Sequence, residues 1–72
     1  MKMNYYKDTD SLYIDLSSKE SVESNEVSPG IVLDYDSHGN LTGIDIDNAS
    51  KKLDLTSLEL YHMPLDAQKI AA

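Results

Sequence analysis

The chain of 72 residues contains no cysteine, no arginine, no phenylalanine and no tryptophan. Without cysteine no disulfide can staple the fold, and the commonest zinc sites are excluded. The same absence fits a reducing compartment. Without arginine, basic residues number six against thirteen acidic ones, and the net charge is −7. Phosphate backbones repel such a surface, and no basic stripe is left to hold nucleic acid. No apolar run approaches the roughly 20 residues of a membrane span. The stretch Met1–Asp10 carries Lys2 but no apolar core, so it does not read as a signal peptide. These absences place the protein in the cytoplasm, with no membrane or nucleic-acid partner and no cofactor.

What is present fits one domain over residues 1–72, with a core of about 3–60 and a tail at 61–72. A domain near this size buries only about 60–65% of the surface its unfolded chain exposes. With no disulfide to help, the expected supplement is a homo-oligomer, most simply a dimer. The acidic surface serves solubility, or a basic protein partner.

Leu12, Ile14 and Leu16 alternate with Tyr13, Asp15 and Ser17, the period of a half-buried strand. Met3 and Tyr5 mark a strand before it, and the polar Lys7–Asp10 joins the two as a hairpin. Strands are therefore expected near 2–6, 11–17, 21–27, 30–36 and 41–47. The third is rich in Glu, Ser and Asn and belongs on an edge. The Gly39-Asn40 pair supplies a tight turn between the fourth and fifth. The register that best separates apolar from acidic residues sets Ile31 opposite Ile46, Leu33 opposite Ile44, Tyr35 opposite Thr42 and Asp36 opposite Leu41. Asn48 reads as the N-cap of a short helix beginning at 48 or 49. The expected core is Leu12, Ile14, Leu16, Ile31, Leu33, Ile44, Ile46 and Leu53. The fold class is α+β: a small antiparallel β-meander of four to five strands, with a short C-terminal helix packed on one face.

Three blocks, Tyr5–Leu16, Val27–Leu53 and Asp54–Leu60, together resemble the YuzE-like family of small bacterial proteins, domain of unknown function 2283. The resemblance covers nearly the whole chain. It departs from the family pattern at Asp45, where Glu is usual, and at Asp47, where an apolar residue is usual. It implies the meander-plus-helix architecture and no established activity. Some members are thought to lie beside small toxin-like proteins, which implies an antitoxin-type role.

Asp34, Asp36, His38, Gly39 and Asp45 fall near the spacing of a calcium loop. Against that reading, His is a poor ligand for a hard cation, and Asp45 is too short to copy the bidentate Glu. No metal site is therefore expected. The preferred register nonetheless crowds Asp34, Asp36, Asp45 and Asp47 on one face, where like charges destabilise unless something offsets them. Asp8 and Asp10 read as turn residues bonding their own backbone. His38 and His62 read as surface residues, and no catalytic triad order is present. Tyr6, Tyr13, Val32, Leu41, Leu58 and Leu60 fall off the expected core face and are the candidate interaction residues.

Three readings of function follow. The first is a non-enzymatic acidic interaction module, an antitoxin-like partner of a basic protein. The second is a divalent-metal-binding protein or metal-dependent enzyme using the Asp cluster. The third is a purely structural homo-oligomer.

Overall fold

Among the described residues, five strands form one antiparallel sheet: β1 (Lys2–Tyr6), β2 (Ser11–Asp15), β3 (Glu23–Ser28), β4 (Ile31–Tyr35) and β5 (Leu41–Asp47). A short helical turn, α1 (Ala49–Lys52), follows. The structure, a computed structural model, describes residues 1–57. The spatial order is β1-β2-β5-β4-β3. Two runs of consecutive strands, β1–β2 and β3–β4–β5, are thus zipped together where β2 meets β5. Both edges, β1 and β3, are polar or exposed, and the hydrophobic strands lie between them.

Alternation sorts the side chains onto two faces. Met3, Leu12, Ile14, Ile31, Leu33, Ile44 and Ile46 share one face through the pairs Met3–Ile14, Leu12–Ile46, Ile14–Ile44, Ile31–Ile46 and Leu33–Ile44. Helix α1 closes on this face, where Ala49 is fully buried against Leu12 and Ile46, with Leu55 beside them. Leu16 and Leu53, expected in the core, are exposed. β2 ends at Asp15, so Leu16 lies past the last paired residue, and Leu53 sits in extended backbone beyond the helix.

The β4–β5 register follows the alternation from Ile31–Ile46 through Asp34–Gly43, then slips. Tyr35 pairs with Leu41, so Thr42 is an extra residue in a β-bulge. The bulge carries Leu41 to the Tyr35 side of the sheet, not the outer side, and releases Asp36 from the strand pair. Asp36 instead builds the turn. Its Oδ1 accepts the backbone N–H of His38 and of Asn40, both at 2.9 Å. Gly39 completes the turn at φ 81°, a value that costs a residue without Cβ nothing.

The helix start also differs from the N-cap expectation. Asn48 adopts the left-handed conformation, φ 53°, and its side chain makes no capping bond. The cap comes from Asp10, which is itself left-handed at φ 53°. Its carbonyl accepts Ala49 N–H at 2.9 Å, and its carboxylate accepts Ser50 N–H at 3.1 Å and the Ser50 hydroxyl at 2.7 Å. At the other end of the turn, Lys52 Nζ donates to the carbonyls of Asp47 and Pro29. One short helix is thereby tied to both hairpins.

Candidate functional site

The outer face of the sheet gathers the chemistry. β1 places Lys2, Asn4 and Tyr6 there, and β2 places Ser11, Tyr13 and Asp15. β5 adds Gly43, Asp45 and Asp47, while β4 adds Val32 and Asp34, and β3 adds Ser24 and Glu26. No element among the described residues packs over this face, since α1 lies on the other side.

Tyr13 is its centre. The residue between its strand and β4 is Gly43, and a Cβ at that position would strike the Tyr13 ring. The glycine thus leaves a trough in which the phenol lies across the sheet. The hydroxyl donates to Asp34 Oδ2 at 2.9 Å, and Ser24 donates to Asp34 Oδ1 at 2.6 Å. Both carboxylate oxygens are therefore engaged. Burial, the Asp34 bond and the surrounding carboxylates push the Tyr13 hydroxyl up to about 12, so it is a fixed donor at neutral pH.

Asp45 lies beside this network, opposite Tyr13 on one neighbour and Val32 on the other. Desolvation, then the charges of Asp47 and Asp34, hold its carboxyl above the usual range. Among the described residues, no hydrogen-bond donor offsets that burden in the way Tyr13 and Ser24 serve Asp34.

The structure brings together Asp34, Asp45 and Asp47 on the face assigned to them, with Tyr6, Tyr13 and Val32. Asp36 is separated from that set because the Thr42 bulge frees it into the turn, where two backbone N–H groups hold its carboxyl below the usual range. Leu41 is half-buried on the opposite side. Leu58, Leu60 and His62 lie outside the described residues. Among the described residues, no three His, Asp or Glu side chains converge so as to hold a metal ion. No described helix is long and apolar enough to cross a membrane.

Three residues that hold this geometry are not among the candidate interaction residues read from the sequence. Gly43 carries a signal, since a lone glycine inside a strand marks a close approach. Ser24 carries none. Asp10 reads as a turn residue, but its carboxylate also accepts the Tyr5 hydroxyl at 2.7 Å and spans to Ser50, a partner forty positions away.

Residues 2–50 match the family model described as protein of unknown function (DUF2283). No curated protein and no solved structure matches the chain.

Proposed function

The chain belongs to the DUF2283 family, and on that premise we propose that it is an acidic interaction module that binds a basic protein partner through the outer face of its sheet. Asp45 carries the reading. It is a partly desolvated carboxylate, pressed by Asp47 and Asp34, with no cation among the described residues to relieve it. A lysine- or arginine-rich segment laid across the sheet would offset that repulsion, and the half-buried Tyr13 and Val32 offer it apolar contact. On this reading the protein acts in the cytoplasm as a binder and not as an enzyme. The antitoxin-like form of the proposal is neutralisation of a small basic protein by charge. A cation site is the weaker reading, because Asp34 spends both oxygens on Tyr13 and Ser24.

The test is titration of the full chain with a lysine- and arginine-rich peptide across a salt series. The double variant Asp45→Asn/Asp47→Asn should bind markedly more weakly. The variant Glu20→Gln/Glu23→Gln, which removes the same charge elsewhere, should bind as the wild type does. Equal losses in both variants would reduce the binding to net charge and reject the face.

A further inference from the structure

Among the described residues, the two edges of the sheet, β1 and β3, are guarded differently. β3 carries Glu23 and Glu26, is bulged between Glu26 and Ser28, and is followed by Pro29. Charge, bulges and proline are what keep an edge from adding another strand. β1 pairs with β2 in unbroken register from Lys2 to Tyr6, has no proline, and bears its one charge at its end. Two large aromatic side chains of β1, Tyr5 and Tyr6, are 45% and 55% exposed, with Met1 beside them at 55%, where β3 and its approach expose the smaller Val27 and Val22.

We propose that two copies of this chain associate through β1, antiparallel about a two-fold axis centred on Asn4, so that their sheets run on as one. In that register Lys2 faces Tyr6 of the second copy, Met3 faces Tyr5, and Asn4 faces Asn4. Each pair is complementary. The lysine ammonium meets an aromatic ring on the outer side. The thioether meets one on the helix side. The two amides meet on the axis, where each can donate to the other. A one-residue shift would turn the second copy over and set Met3 against Asn4. Self-pairing of β3 would instead bring the Glu23 and Glu26 carboxylates of both copies onto one seam. The β1 seam leaves Asp45 and Asp47 two strands away, roughly 10 Å, a distance at which salt screens them. The axis stands perpendicular to the sheet, so the outer faces of the two copies merge into one. This inference does not depend on the basic-partner reading.

The absence of cysteine gives a direct test. Asn4→Cys introduces the only thiol, and paired positions on antiparallel strands lie within disulfide reach. Mild oxidation should link Asn4→Cys chains into covalent dimers and leave Asn25→Cys chains, altered on the β3 edge, unlinked. No link at position 4, or equal linking at both positions, overturns the proposal. Sedimentation equilibrium gives a second reading. The wild type should show the mass of two chains at micromolar concentration. Tyr6→Lys sets a second ammonium opposite Lys2 and should weaken the dimer about tenfold. Adding Lys2→Glu to Tyr6→Lys should restore it, because the rescue pairs charges across the axis and not within one chain. A mass of one chain up to about 100 μM, or a double variant no tighter than the single, is incompatible with this seam.

Discussion

Tyr13 occupies the space that a side chain at Gly43 would need, and from there its hydroxyl crosses β5 to reach Asp34 at 2.9 Å. The backbone at Gly43 is not left-handed, so the constraint there is steric and not conformational.

Gly43→Ala should therefore displace the Tyr13 ring and break its bond to Asp34, lowering stability by about 1–3 kcal/mol. Tyr13→Ala removes the obstacle. The double variant Tyr13→Ala/Gly43→Ala should be more stable than the two single losses added together, by about 1 kcal/mol or more. Urea unfolding of the four proteins measures the coupling. Additive losses would mean that the two positions do not share the trough.

Alternation made the two faces of the sheet legible. The pairs Ile31–Ile46 and Leu33–Ile44 stand as the sequence expects because a one-residue slip would turn the apolar side chains of one strand away from those of the other. The last pair does not. A bulge at Thr42 leaves the pattern upstream intact, so burial gave no signal against it, and with it went the placement of Asp36 and Leu41. The Asp10 clamp was hidden for another reason. A helix of one turn takes its cap from whichever acceptor the tertiary fold delivers, and no local pattern records a partner from another hairpin. Among the site residues, Asp34, Asp45, Asp47, Tyr6, Tyr13 and Val32 follow from period two alone, while Ser24 depends on β3 finding β4.

Thr42 is 3% exposed and its hydroxyl has no hydrogen-bond partner among the described residues. A hydroxyl buried without a partner costs about 1–3 kcal/mol. Thr42→Val replaces it with a methyl of the same shape and should raise the melting temperature. A fall would show that the hydroxyl is satisfied in solution.

Asp10 should contribute to the acid limb of stability. Its bonds from Ser50, then Tyr5, hold its carboxyl below the ordinary value of 3.8. The folded state thus binds this proton more weakly than the unfolded state does. The contribution is complete above 3.8 and is lost as pH falls through the lower folded value. Asp10→Asn cannot reproduce two acceptor oxygens, so it should melt a few degrees lower at neutral pH. The gap between the two proteins should close in acid. A gap that stays constant with pH would assign the loss to packing and not to the charged cap.

Asp45 should behave with the opposite sign. Its carboxyl is held above 3.8 by desolvation and by Asp47 and Asp34, so the folded state takes up this proton more readily than the unfolded one. The favourable contribution is full below 3.8 and disappears as pH rises through the folded value, leaving a charge penalty at neutral pH. Asp45→Asn removes that charge with little change of shape. It should stabilise the fold at neutral pH by about 0.2–1 kcal/mol, the range for like charges on adjacent strands. The gain should shrink as pH falls toward 3.8. The same substitution should weaken binding of the basic peptide, because the repulsion it removes is what a cationic partner would relieve. Stability and binding then move in opposite directions at one residue, the trade expected where a strained group serves a ligand. Denaturant melts at neutral and acid pH, set beside the peptide titration, measure both. A variant that is stabilised yet binds as tightly as before would detach the strain at Asp45 from the recognition of any basic partner.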